Sequence, residues 1–458
     1  MQKTSVTTLF YRTFYASCYL TMITCGYKTA AKADTAALTI SSAVQQALNK
    51  NPDVMKAREA RNQSDYDYST AFARVLPTLT GTAQGMNQKD ASLLANPNFG
   101  GESYNQYQLS LNLAQPLFDG GAMFAGLRFG KKDKEIKDYA VEISERTTTE
   151  SVLESFYTLL LNERLLQILN DTFQVDKEVL ELAERYYSVG RIQKVDLLQL
   201  KTQTSLLKPK IQAAQNQMQI TSSQIATLLH DLNSTQIHTK GKLVVPEIEW
   251  VKSTAEQKKS ELPEILQSRT SIDQFEDNRT IQMATFWPKL NLLGQLGRGA
   301  YTKTDLLDSN ATNWSIGIQL SIPIFTGLSS FSTRDSLASQ EKQMEFDETK
   351  LTDTVTVSQI QTEKSLLTAQ SQLVAASEAA GYGRESLHEA ERTFKLSTIT
   401  YIQYQSSLQA YLDSETGFYQ AKYNYIVATA QYFNAIGVPL SNLITKLETI
   451  SSQAKNDD

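Results

Sequence analysis

The chain has 458 residues, with 44 lysines and arginines against 49 aspartates and glutamates and a formal net charge of −5. That balance, with no basic stripe interleaved with aromatics, argues against a nucleic-acid partner. No window reaches the roughly 18 consecutive apolar residues of a transmembrane helix.

Residues 1–33 read as a secretory signal peptide. Lys3 and Arg12 precede an apolar run over 14–25, and Ala31-Lys32-Ala33 supplies a small-x-small cleavage site before Asp34. A lipoprotein signal at Cys25 is the rival reading, although Met22-Ile23-Thr24 is a poor match to it. Both cysteines, Cys18 and Cys25, lie in this segment, so a chain cleaved after Ala33 has no disulfide or thiolate chemistry.

Residues 34–230 read as a first structural repeat. Pro52 and Pro77 bracket a helical segment, and strands are expected at about 77–86 and 104–114. In LSLNLAQPLFDGG, 109–121, Leu109, Leu111 and Leu113 share one face and Ser110, Asn112 and Ala114 the other. Pro116 is expected to close that strand, and Gly120 and Gly121 to permit the turn that follows. From Ala122 the composition is helical with no proline until Pro209, which at 1.5 Å per residue gives a helix of roughly 100 Å ending near Val189.

The coiled coil of this repeat spans about 122–230. Its seam is read through Leu161, Leu165, Ile168, Val175, Val179, Leu182 and Tyr186, with Thr172 the one polar member. The returning helix continues it through Leu197, Leu200, Leu207, Ile211, Met218, Ile225 and Leu228. Pro209, inside that helix, is read as a bend. Residues 231–262, with Pro246 and Trp250, form an equatorial connector.

A second repeat occupies 263–436, with strands at about 288–300 and 312–322 and a coiled coil at about 328–436. Pro323 lies 207 residues after Pro116, and Ala390-Glu391-Arg392 the same distance after Ala183-Glu184-Arg185; Pro263 and Pro288 lie 211 residues after Pro52 and Pro77. Prolines and a tripeptide in one register make this a duplicated helix–strand–strand–helix unit. Residues 437–458 are read as a C-terminal tail that joins the connector in a collar around the middle of the tunnel, disordered from Ser451 on.

Each strand has about the ten residues that cross a bilayer when tilted. A soluble sheet with one buried face would show the same alternation. The export signal, and long helices committed to one another rather than to covering the strands, favour the membrane. A membrane sheet has no free edge, because each unpaired backbone group costs several kcal/mol in hydrocarbon. Barrels need at least about eight strands, so a chain with four must pool them with copies of itself, as a dimer of eight or a trimer of twelve.

The paired Pro-Leu-Phe-Asp-Gly-Gly from Pro116 and Pro-Ile-Phe-Thr-Gly from Pro323 to Gly327 resemble the outer-membrane efflux proteins, the TolC-like ducts. So do Leu76-Pro77-Thr78-Leu79, Asn51-Pro52, and Tyr187-Ser188-Val189-Gly190 followed by Val195-Asp196-Leu197-Leu198. The likeness spans about 38–438. It implies a mainly α fold with membrane β: a homotrimer giving four strands per subunit to one twelve-stranded barrel, and helices to an α-barrel tunnel across the periplasm of a Gram-negative cell. It also implies a periplasmic adaptor, the membrane fusion protein, and through it an inner-membrane transporter of RND, ABC or MFS type. Outer-membrane lipid surrounds the barrel, and opening is iris-like.

The resemblance places a gate on Asp196 and on the second inner helix. There Phe394 stands at a tyrosine position, Ile399 at an arginine position, and Gln403 and Ser406 at acidic positions of better-known members. A closed state held by packing around Phe394, Tyr401 and Tyr404 is expected, with weak cation selectivity; ordinary coiled-coil packing of these tyrosines is the alternative. Val189, Gly190 and Arg191 on one tip, and Leu396, Ser397 and Thr398 on the other, align with adaptor-docking hairpins. A tight turn would want Gly190 regardless.

His230, His238 and His388 are scattered without metal-ligand spacing. Gly294, Gly297 and Gly299 lie in a strand pattern, which no phosphate loop does. No cofactor, metal or catalytic residue is indicated. A periplasmic coiled-coil scaffold would share the helices and a passive porin the strands; the exported substrate and the pump class are not written in the chain.

Overall fold

A computed structural model describes residues 38–89, 103–231, 237–307, 312–396 and 398–453. The signal segment 1–33 with Cys18 and Cys25, the docking candidate Ser397 and residues 454–458 lie outside the described residues. The elements run α1 (Ile40–Lys50), α2 (Pro52–Ala73), β1 (Thr78–Lys89), β2 (Ser103–Asp119), α3 (Ala122–Ser188), α4 (Lys194–Leu228), α5 (Ile248–Lys258), α6 (Pro263–Met283), β3 (Lys289–Ala300), β4 (Thr312–Ser321), α7 (Ser329–Lys395), α8 (Tyr401–Ala435) and α9 (Ser441–Gln453).

The duplication has a structural cause at each proline. Pro52 and Pro263 take the first turn of α2 and α6, where a missing N–H is no loss, and Pro77 and Pro288 immediately precede β1 and β3. The halves match in length: α3 and α7 have 67 residues each, and α4 and α8 have 35. Within the described residues no helix is long and apolar enough to cross a membrane.

The sheet is antiparallel in the order β1-β2-β3-β4. Its register aligns Leu79 with Leu113, Leu111 with Leu296, Leu296 with Trp314, and Leu292 with Ile318. One face is therefore apolar across all four strands, and it is bare: Trp314 is 75 % exposed and Ile318 68 %. The other face aligns Thr82 with Ser110, and Gln295 with both Asn112 and Ser315. It is knitted by hydrogen bonds such as Thr82 Oγ1 to Ser110 Oγ at 2.6 Å. Among the described residues, β1 and β4 each have one edge with no partner strand.

Pro116 does not close β2. The strand continues to Asp119 through an irregularity between Pro116 and Phe118. β1 begins at Thr78 opposite Ala114, so one flank of β2 lacks a partner from Gln115 on, where a proline costs no ladder bond. Pro323, by contrast, does lie beyond the end of its strand.

The larger core gathers mid-α3 (Leu153, Phe156, Tyr157, Leu161), late α8 (Tyr425, Phe433), α1, α5 and α9. The C-terminal segment packs against the core through Leu443, Ile444 and Leu447 of α9, and order extends past the expected limit: α9 runs to Gln453, and Ser451 accepts a bond from the Lys242 N–H at 3.0 Å. Pro209 sits inside an unbroken α4. It and Ser205, whose carbonyl loses its helical donor, are both exposed.

Candidate functional site

The strand-to-helix turns are sterically determined. Gly120 and Gly121 have φ of +76° and +93°. A Cβ on Gly120 would lie 2.8 Å from the Trp287 Cβ and 2.9 Å from the Ala284 carbonyl oxygen. Gly327 (φ +64°) and Leu328 (φ +65°) turn the second repeat in the same left-handed way. Ile324 and Phe325, after Pro323, are 94 % and 81 % exposed.

At the far end, α3 closes in a Schellman motif: the Arg191 N–H donates to the Tyr186 carbonyl at 2.8 Å and the Gly190 N–H to that of Tyr187 at 3.0 Å. Gly190 has φ +76° with open space around it. The second tip repeats the outer bond, Thr398 N–H to the Thr393 carbonyl at 3.0 Å. Val189 and Leu396 are both about two-thirds exposed, at 68 % and 67 %. The Tyr186 hydroxyl donates to the Lys395 carbonyl at 2.7 Å, tying one tip to the other. Between them lies a cavity of about 320 Å³ whose walls include Arg191, Asp196, Phe394, Ile399 and Tyr401.

The structure brings Phe394, Tyr401 and Tyr404 together. Phe394 stacks on Tyr404 with ring centroids 5.4 Å apart, and Tyr401 lies 6.4 Å from Tyr404. All three are buried within the single chain, and Ile399 packs against their cluster. Gln403 and Ser406 are exposed. The Gln403 side chain accepts from the Thr400 N–H at 2.9 Å, completing the α8 capping box. Asp196 does the same for α4, accepting from the Gln193 N–H at 3.4 Å.

One residue of this cluster was missed by the seam. The fully buried positions of α3 here are Thr172, Asp176, Val179 and Ala183, one residue out of phase with Val175 and Leu182, which are only partly buried. Asp176 is 0 % exposed. The Tyr404 hydroxyl reaches its Oδ1 at a long 3.4 Å, while its Oδ2 and the Tyr401 hydroxyl are buried without partners. Burial pushes the Asp176 carboxyl up to about 6, against the weaker pull of the Tyr404 bond. Burial, then the neighbouring Asp176, also raises the Tyr401 and Tyr404 hydroxyls. The available signal was a carboxylate one turn beyond a polar seam residue.

Higher in the second hairpin, the Arg384 guanidinium donates to both oxygens of Glu415, at 2.8 and 2.9 Å, and Glu415 is 2 % exposed. At the equivalent positions 207 residues earlier stand Lys177 and Lys208.

A family model for outer membrane efflux proteins matches residues 43–229 and 255–438, most of both repeats. The chain belongs to the outer membrane efflux protein family. Membership places it in the outer membrane. The toluene efflux pump outer membrane protein TtgC of Pseudomonas putida is 27 % identical over 145 residues, 31 % of this chain and 29 % of that protein. The alkaline protease secretion protein AprF of Pseudomonas aeruginosa is 24 % identical over 232 residues, 49 % of this chain and 47 % of its own. The chain thus spans less than half the length of these curated relatives. The fold agrees along nearly the whole chain with the CmeC outer membrane channel of Campylobacter jejuni, at TM-score 0.74 and 18 % identity, covering 89 % of this chain and 88 % of that one. It agrees equally with VceC of Vibrio cholerae, at TM-score 0.74 and 15 % identity, covering 87 % and 96 %.

Proposed function

We propose that the chain is the outer-membrane exit duct of a tripartite efflux pump or type I secretion system. One observation carries this reading. Among the described residues, a four-stranded sheet with two open edges and a bare apolar face continues, through left-handed turns, into two helices of 67 residues, each about 100 Å long. Oil can cover the face and copies of the chain can pair the edges. Three copies close a twelve-stranded barrel, and their helices form the tunnel beneath it. The exposed Val189 and Leu396 at the tips receive the periplasmic adaptor, which joins the duct to an inner-membrane RND, ABC or MFS transporter. The names of TtgC and AprF, an efflux pump component and a protease secretion protein, support both kinds of system.

Opening is an iris-like loosening of the hairpins. The closed state is held by Phe394, Tyr401 and Tyr404 packed within each subunit, and Gln403 and Ser406 face the entrance where the acidic ring of other members would be. Conductance in planar bilayers tests both levels. The wild type forms ion-conducting pores, and Gln403→Asp gains block by divalent cations; an absence of pores contradicts the duct, and pores without added block contradict the placement of Gln403. Deletion of the gene abolishes export of some compound or protein, whereas unchanged export would favour a passive porin.

A further inference from the structure

Midway along the helices, away from gate and membrane, three cationic side chains line one cavity. It has a volume of about 690 Å³, and its walls include Glu163, Arg164, Gln167, Lys242, Tyr419 and Lys422. Arg164 comes from α3, Tyr419 and Lys422 from α8, and Lys242 from the connector, so the cavity is where both repeats and the segment joining them meet.

The Arg164 guanidinium lies over the Tyr419 ring at 4.8 Å, and the Lys422 ammonium lies 5.3 Å from the same ring and 4.4 Å from that of Phe418. One aromatic ring thus serves two cations. Arg164 gives one N–H to Gln167 at 2.8 Å, but its Nε is buried with no acceptor. Among the described residues neither Arg164 nor Lys422 forms an ion pair. Of the carboxylates nearby, Glu163 accepts from the Thr239 N–H at 3.3 Å and from its hydroxyl and leaves one negative charge at the cavity wall, and Glu415 is held by Arg384. The Lys422 ammonium is held below its usual range, by burial first and then by Arg384. A half-buried pair of like charges with an unmet donor is costly unless a counter-charge arrives.

We propose that this cavity binds a small multivalent oxyanion, of the phosphate or carboxylate class. The guanidinium offers a buried donor to one oxygen, the Lys422 ammonium neutralises further charge, and charge-assisted bonds of this kind are the strong ones. The volume falls within the range of small-molecule sites and exceeds what one phosphate fills. A ligand there would fasten α3 to α8 and to the connector at mid-height, so its presence also favours the closely packed arrangement of the two hairpins.

The test uses the full-length protein purified in detergent, with pyrophosphate and citrate as probes and sodium chloride at matched ionic strength as the reference. Titration calorimetry should show saturable binding of at least one probe at one site per subunit. Arg164→Gln and Lys422→Gln should each weaken it at least about tenfold, and Lys208→Gln, on the exposed face of α4, should leave it unchanged. Preference for pyrophosphate assigns the phosphate class, and preference for citrate the carboxylate class. Binding that Lys208→Gln weakens as much as the cavity variants do, or that the cavity variants leave intact, would mean diffuse charge attraction and overturn the proposal. The wild type alone also decides, without any variant: its melting temperature should rise with the bound probe above the chloride reference, and if neither probe raises it the site does not exist.

Discussion

Asp176→Asn should make the protein more stable, by an amount that depends on pH. The carboxyl is fully buried among Tyr401, Tyr404 and α3, with one long bond and one unpartnered oxygen. Burial raises it from 3.8 to about 6, roughly two units at about 1.4 kcal/mol each, or about 3 kcal/mol by which the fold disfavours the ionised form. The sign follows from the direction of the shift. The native state binds the proton more tightly than the unfolded chain, so the penalty is absent below about pH 3.8, grows as pH rises, and is complete above about pH 6. Asparagine keeps an acceptor for Tyr404 and carries no charge. Helical circular dichroism followed on heating in detergent, for both proteins from about pH 4 to pH 8, isolates the effect, because every other carboxylate is common to both. The difference should be near zero at the acid end and favour the variant at pH 8 by up to about 3 kcal/mol. A difference that is flat with pH, or a variant less stable than the wild type at pH 8, would refute the buried-charge account.

The sheet and the second hairpin give further tests. Ile318→Lys puts a charge on the bare apolar face at a cost of about 2–4 kcal/mol near the bilayer midplane and should deplete heat-modifiable oligomers from the outer-membrane fraction; Gln319→Lys, on the other face of β4, should not. Arg384→Met strands the buried Glu415 carboxylate; breaking such a pair costs about 3–5 kcal/mol when both members are buried, reduced here to about 2 because Arg384 is half exposed. The double variant Arg384→Met with Glu415→Met should recover most of that loss in the same thermal assay.

The duplication and the strand faces were legible because their markers have single structural uses. A proline fits the first turn of α2 or α6 and the threshold of β1 or β3, so four prolines in one register already encode the order of elements. Alternation along β2 and β4 fixes which side chains share a face. The seam was harder to place over a helix of 67 residues, since steps of three and four can be threaded through neighbouring positions. Choosing Val175 and Leu182 put the apolar line one residue out of phase and left Asp176 among the solvated acids. Pro116 misled because its tolerance depends on where β1 begins, which is a property of the pairing. The basic cavity has no local sequence signature at all: Arg164 and Lys422 belong to different repeats and meet only over the ring of Tyr419.

The central claim is that four strands cannot seal themselves and are completed by copies of the same chain in lipid. The mass of the particle extracted from outer membranes in mild detergent, measured by native mass spectrometry, tests it most directly. The account predicts three copies of the chain, with no folded species once detergent is withdrawn. A single folded copy, stable in plain buffer, would contradict it.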